Sequence, residues 1–377
     1  MSPTSAAPDS PTRPTSYAWE ATDEDVAARY GVPRERILRF DLNTSPEPPA
    51  RAAEVMARGV FESVLSEYPP SDYRRLVRAA CDAYGAAPDE ILVGAGADEI
   101  LDLAGKAFLP AGGTAVIPVP SYALYRVITE QRGARVIGVP RQAAAEGWAM
   151  DVEATVEASA DANLVWLCSP NNPTALAEPD GAIESLLVAL DARAARAGAR
   201  PPVVILDEAY AEFVGRSLLD LRRRHRNLVV VRTASKAYAL AGLRVGFAVG
   251  DPGTIAEIAP YRPPGSVSTV SVTVVTEALR DGATMHANVA RVERERSRLA
   301  GALRAVGWSV GPSVTNFLLV DFGTAQRSAT VAEELLRRAL VPRTFEAGHP
   351  LAAFLRLTIR DRAGNDRLIA AAGEICR

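Results

Sequence analysis

Lys236 closes a polar loop, Thr233-Ala234-Ser235-Lys236, that follows the apolar, β-branched run Leu228-Val229-Val230-Val231. Such a run predicts a buried strand, so the lysine stands just past a strand end. Hydroxyls at Thr233 and Ser235 and a second cation at Arg244 lie close by in sequence. A lysine amine attacks an aldehyde only when unprotonated, so a Schiff-base lysine needs a desolvated or cationic setting that lowers its pKa. Two hydroxyls and a guanidinium suit a phosphate monoester. Together they predict one ligand carrying both an aldehyde and a phosphate. A lone Ser-Lys pair is more often a solvated loop, so the rest of the chain must decide.

Asp207 is the first charge after a second apolar run, Pro202-Val203-Val204-Ile205-Leu206. A carboxylate there can pair with a pyridine nitrogen and hold the ring protonated, ready to accept the electrons of a carbanion. The alternative is a helix cap or a structural ion pair. Tyr210 and Asn172, each beside a strand end, can donate to a phenolate oxygen on such a ring; an Asn-Pro pair is otherwise simply a turn. Gly94-Ala95-Gly96-Ala97-Asp98-Glu99 joins a strand to a helix. Its glycines let backbone amides approach an anion at a helix N-terminus, or it is a turn capped by Asp98. Glu99 occupies the third glycine position of the dinucleotide fingerprint and excludes that motif. Tyr122 can stack on a planar ring or fill a core. Arg356 sits between Leu355 and Leu357 in an apolar strand, where a guanidinium needs an anion from a ligand or from the protein.

The elements that must position these residues alternate. Apolar runs at 90–93, 115–117, 135–139, 164–168, 202–206 and 228–231 are separated by helical patterns at 98–108, 122–132, 151–158 and 179–197. Near-continuous apolar strands alternating with helices predict an α/β fold whose mostly parallel sheet is covered on both faces. Ligands of such sheets bind at the carboxyl ends of the strands, where most of the polar clusters fall. Residues 1–16, rich in Pro, Ser and Thr, read as disordered. A polar helix at 23–30 and a strand-like piece at 38–43 follow, then a helix ending near Ser66 and another at 73–84 with Leu76, Ala79, Ala80 and Ala83 on one face. The stretch from Pro260 to Ser271 reads as the exit from the main domain. Beyond it, a charged helix at 284–306, strands at 317–320 and 354–359 and helices at 328–339 and 366–375 predict a smaller α+β unit. The expected division is an arm at 1–45, a large domain at 46–260 and a small domain at 261–377.

Composition narrows the function. The 377 residues carry a net charge of −3 with no basic cluster, which argues against a nucleic-acid or membrane-surface footprint. Cys81, Cys168 and Cys376 are scattered and the three histidines stand apart, so a disulfide framework, a metal site and Ser-His-Asp hydrolysis have little to draw on. With no signal-peptide pattern and no long apolar run, the expected compartment is the reducing cytoplasm.

Taken in order, Gly-Ala-Gly-Ala-Asp-Glu, Pro-Ser-Tyr, Asn-Asn-Pro-Thr, Asp-Glu-Ala-Tyr, Ser-Lys with Leu-Ala-Gly-Leu-Arg-Val-Gly, and Leu-Arg-Leu-Thr resemble the fold-type I pyridoxal 5′-phosphate (PLP) enzymes. Within these the chain is similar to class I/II aminotransferases, the histidinol-phosphate aminotransferase subfamily above all, over about residues 38 to 360. The resemblance implies PLP on Lys236, with its phosphate held by Ala97, Asp98, Thr233, Ser235 and Arg244. It implies ring contacts from Tyr122, Asn172, Asp207 and Tyr210, and Tyr68 reaching across a homodimer. Arg356 would take the substrate carboxylate or a phosphate, Arg343 lies near where relatives place a substrate-phosphate arginine, and Asn43 lies at the substrate mouth. Three positions depart from the pattern: Asn43-Thr44-Ser45-Pro46 replaces Asn-Glu-Asn-Pro, and Ala175 and Arg360 stand where glycines are usual.

The resemblance implies transamination between an amino acid or amino phosphate and a 2-oxo acid such as 2-oxoglutarate. A PLP-dependent decarboxylase, lyase or cyclase of the same fold is the alternative, since the bond broken depends on which substituent stands perpendicular to the ring. A PLP-sensing transcription regulator would need a DNA-binding domain, and the first forty residues hold no helix-turn-helix pattern.

Overall fold

The computed structural model describes residues 16–17, 20–46 and 48–375. The disorder expected for residues 1–16 falls, Ser16 apart, outside the described residues, as does Cys376. Twelve strands are formed among them: β1 (Leu38–Arg39), β2 (Ile91–Gly94), β3 (Thr114–Val119), β4 (Arg135–Pro140), β5 (Leu164–Cys168), β6 (Val203–Asp207), β7 (Leu228–Thr233), β8 (Gly246–Gly250), β9 (Ser309–Val310), β10 (Phe317–Asp321), β11 (Leu340–Val341) and β12 (Phe354–Thr358).

Seven strands make the main sheet in the order β2-β8-β7-β6-β5-β3-β4. The pairs β7/β6, β6/β5, β5/β3 and β3/β4 are parallel, while β8 runs antiparallel to both β7 and β2. The sheet is thus mostly parallel, as the apolar runs predict. Successive strand side chains point to opposite faces, and the core divides accordingly. Val165, Leu167, Val204, Leu206 and Val230 join one cluster with Leu76, Leu186 and Val275. Leu164, Trp166, Val203, Ile205 and Val229 join the other with Ile100, Leu103, Tyr125 and Ile258. Burying both faces forces the strands' polar ends to be the first accessible positions, which is where the chemistry collects.

A third cluster holds the C-terminal unit: β10 pairs antiparallel with β12 and with β9, and helices Gly282–Ala305, Ala325–Arg337 and Arg362–Ile375 cover them. The N-terminal segment belongs to this unit's packing, since β1 pairs parallel with β11 and Phe40 is buried in the same cluster.

Several expectations need correction. The stretch after Pro260 is no exit: helix Thr269–Arg280 packs Val272, Val274, Val275 and Leu279 into the large sheet's own cluster, so a division at 260/261 cuts through that packing. Its β-branched sequence depresses helix propensity, and its near-total burial removes the amphipathic period that would reveal it. The helix expected to reach Ser66 spans Ala50–Arg58 and stops at Gly59, which adopts φ +63. Ala83 is exposed and Tyr84 takes its place in the core. β8 begins only at Gly246, because Ala241–Leu243 forms a tight 3-10 turn ending at Arg244 with φ +51. No helix among the described residues is long and apolar enough to cross a membrane.

Candidate active site

The ends of β5, β6 and β7, the loop before β8, the start of helix Ala97–Phe108 and β12 of the small unit converge on one cavity of about 220 Å³. Of the residues singled out in the sequence, Asn43, Ala97, Asp98, Tyr122, Asn172, Asp207, Tyr210, Thr233, Ser235, Lys236, Arg244, Arg343 and Arg356 all line it. Tyr68 does not: it is 90 % exposed. Arg360 is also absent from the lining. Its guanidinium donates to the Arg39 carbonyl at 3.0 Å and lies over the Phe40 ring, so it holds the N-terminal strand and does not assist at the substrate mouth.

Lys236 is half-buried, with Nζ 3.4 Å from the Leu42 carbonyl and 5.8 Å from the centre of the Tyr210 ring. Burial first, then the charges of Arg356 and Arg244, bring its amine down to about 8, against the opposing pull of Asp98 and Asp207. A lysine so poised is nucleophilic near neutrality. Asp207 ends β6 and is buried; Tyr125 donates to its Oδ2 at 2.8 Å and the Ala209 amide to its Oδ1 at 3.0 Å. Burial pushes its carboxyl up to about 6, and these two hydrogen bonds limit the rise.

A ring of donors surrounds these two groups. Asn43 Nδ2 donates to the Tyr210 hydroxyl oxygen at 3.0 Å, which leaves the phenol's own proton for an acceptor in the cavity. Arg356 donates to Asn172 Oδ1 at 2.6 Å and to the Asp41 carbonyl, which fixes the Asn172 amide. Its Nε is buried with no hydrogen-bond partner, so one donor of this guanidinium is left unsatisfied by the protein. Arg343 Nε lies 3.7 Å from Glu20, and its guanidinium lies over Tyr17. Tyr17, Tyr122, Asn172, Arg343 and Arg356 also border an outer chamber of about 510 Å³.

The cavity lining also gathers hydroxyl and guanidinium donors at a helix start, groups of a kind that suits a phosphate. Ser235 and Thr233 hydroxyls lie 3.0 Å apart, and Arg244 Nη2 is 3.0 Å from Asp98. The first amides of helix Ala97–Phe108 have no intrahelical acceptor, a general property of helix starts. Gly96 adopts φ +88, and a Cβ there would come 2.6 Å from Arg244 Nη2. A Cβ on Gly246 would strike the Gly96 backbone at 2.4 Å. Glu99, where a third glycine might be sought, accepts from the Ala95 amide at 2.5 Å and from Ser266 at 3.0 Å, so it shapes the turn from behind.

With this geometry in view, comparison with known proteins is decisive. The profile of the family "Aminotransferase class I and II" matches residues 38–371. The chain belongs to that family. It is 35 % identical over 361 residues to the histidinol-phosphate aminotransferase of Roseiflexus castenholzii, covering 93 % of each chain. It is 34 % identical to that of Thermococcus gammatolerans, covering 90 % of this chain and 92 % of the relative. The fold is that of the crystal structure of the Sinorhizobium meliloti histidinol-phosphate aminotransferase in complex with pyridoxal-5′-phosphate, with a TM-score of 0.85 at 24 % identity over 96 % and 95 % of the two chains. The protein is thus a PLP-dependent transaminase of fold type I. Its cavity fits that cofactor on its own chemistry: an amine of lowered pKa, a buried carboxylate, and hydroxyl and guanidinium donors at a helix start.

Sequence reasoning passed over four contributors. Tyr125 sits three residues beyond Tyr122, and that helical spacing was the signal for it. Tyr17 and the Leu42 carbonyl carry no signal of their own. Cys168 lines the cavity beside Asp207, but burial pushes its thiol up to about 12 and leaves it unreactive. Ala175, where the resemblance expects glycine, is buried at φ +67, a conformation costing an L-residue roughly 1 kcal/mol.

The lowered pKa of Lys236 gives a signed expectation. Below about 8 the amine is protonated and inert, so the rate at which the apoprotein takes up PLP, followed by visible absorbance, should rise with pH and level off above this value. A rate still climbing at pH 10, as for an ordinary lysine, would contradict the site.

Proposed function

We propose that the enzyme transfers the amino group of an amino phosphate resembling histidinol phosphate to a 2-oxo acid such as 2-oxoglutarate. The observation that carries this reading is the pair of arginines, Arg343 and Arg356, bordering both the inner cavity and the outer chamber. Two guanidiniums suit a phosphate dianion on one substrate and a carboxylate on the other. The names of the two relatives agree with it.

When bound, PLP contributes an aldehyde that condenses with amines and a protonated ring that draws off the electrons released at the substrate's α-carbon. The chain's residues do the rest. Ser235, Thr233, Arg244 and the amides of Ala97 and Asp98 would hold its phosphate, and Asp207 would keep its ring nitrogen protonated. Tyr122 would cover the ring. Tyr210 and Asn172 would supply hydrogen bonds to its phenolic oxygen. Lys236 Nζ would serve as the general acid–base group that moves the proton leaving the substrate's α-carbon, a role worth roughly 10²–10⁴-fold. Arg356 would hold the substrate anion and so orient the bonds at its α-carbon.

We further place the boundary between the large and small units at Asp281, where the helix packed on the main sheet gives way to Gly282–Ala305. We propose a cytoplasmic homodimer. Met56, Val60, Val64, Leu65 and Tyr68 are large hydrophobic residues exposed within one segment, and a partner subunit would cover them. In the dimer Tyr68 would reach the partner's phosphate cup.

Two measurements test these readings. Histidinol phosphate with 2-oxoglutarate should be turned over with a higher kcat/KM than aspartate or aromatic amino acids, and Arg356→Lys should raise KM for 2-oxoglutarate roughly 10- to 100-fold. Equal use of unphosphorylated donors would set the substrate assignment aside. Sedimentation equilibrium at micromolar concentration should give twice the chain mass; a monomer would refute the shared site.

A further inference from the structure

We propose that Tyr125 is a positioning residue for this reaction: its hydroxyl orients Asp207 and keeps that carboxylate ionised, so that Asp207 can hold the cofactor's ring nitrogen in its protonated form. The inference rests on the cofactor seat described above and adds a residue that never needs to touch the cofactor.

The geometry is that of a built support. Tyr125 is fully buried and stacks on Trp166 with ring centroids 5.3 Å apart and planes within 3°. Trp166 is itself fixed, donating from Nε1 to Thr129 Oγ1 at 3.1 Å, while Thr129 Oγ1 donates to the Tyr125 carbonyl at 2.7 Å. The phenol therefore has one position, and in it the hydroxyl meets Asp207 Oδ2 at 2.8 Å. The second carboxylate oxygen accepts from the Ala209 amide. Both donors are neutral, so they lower the cost of burying the negative charge without cancelling it. The charge remains available to a cation in the cavity.

The other groups bearing on Asp207 come from each neighbouring element. Lys236 favours its ionised form and Asp98 opposes it. Tyr122, Cys168 and Tyr210, all with raised pKa values, stand near it as neutral groups. Of the groups named, only Tyr125 and the Ala209 amide donate directly to the carboxylate, and only Tyr125 can be removed by a side-chain substitution.

The test uses the holoenzyme loaded with PLP labelled with ¹⁵N in the ring. In the parent protein the ring nitrogen should resonate as protonated. In Tyr125→Phe, which keeps the ring on Trp166, the resonance should move toward the unprotonated position, and the half-reaction with glutamate should slow roughly tenfold. Asp207→Asn should abolish the protonated signal. If Asp207→Asn has that effect but Tyr125→Phe matches the parent in both signal and rate, the role given to Tyr125 is wrong. If neither variant moves the nitrogen, Asp207 does not face it, and the cofactor seat falls along with the inference. The unaltered holoenzyme decides independently of how the variants fold. Its Tyr125 hydroxyl proton should resonate well downfield of a free phenol, and an ordinary phenol shift would overturn the assignment.

Discussion

A carboxylate buried at the end of an all-apolar strand is the constraint on which the rest of this structure depends. Asp207 closes β6 with two neutral donors, an arrangement that tolerates a negative charge without neutralising it. A charge in that state attracts a cation and repels another anion. The same cavity also holds Arg244 and the start of helix Ala97–Phe108, which supply positive potential. Lys236 lines the same cavity, and its amine is lowered by the burial that raises the carboxyl. One physical cause, removal of water from the strand ends, thus moves the two groups in opposite directions.

The fold makes that removal possible. Because both faces of the main sheet are covered, the sheet can meet a ligand only at its edges and ends. The small unit closes one of those ends through β12, which brings Arg356 to Asn172. The N-terminal strand adds Asn43 against Tyr210. Three parts of the chain distant in sequence therefore share a cavity that none could build alone, and each contributes a donor already fixed by a neighbour.

Much of this was legible in the sequence because the signals were local. Continuous apolar runs gave the strands, and Lys236, Asp207 and Asn172 each follow such a run, so strand ends and chemistry could be read together. Helix Thr269–Arg280 was missed because β-branched residues buried nearly all round leave no period to detect. Tyr125 was read only as part of a helix because its hydroxyl's partner is 82 residues away, a relation that arises only when helix Leu124–Gln131 packs against the sheet. The place of Arg360 was not legible for a similar reason: position after an active-site strand does not show which way a side chain turns, and this one meets the Phe40 ring and the Arg39 carbonyl.

The central claim is that the Lys236 amine, and no other, carries the cofactor aldehyde. Borohydride reduction of the holoenzyme, followed by proteolysis and mass spectrometry, tests it most directly. The account predicts a reduced pyridoxyl phosphate group on the peptide containing Lys236 and its loss in Lys236→Ala. A label confined to Lys106, or a protein that retains no label after reduction, would contradict it.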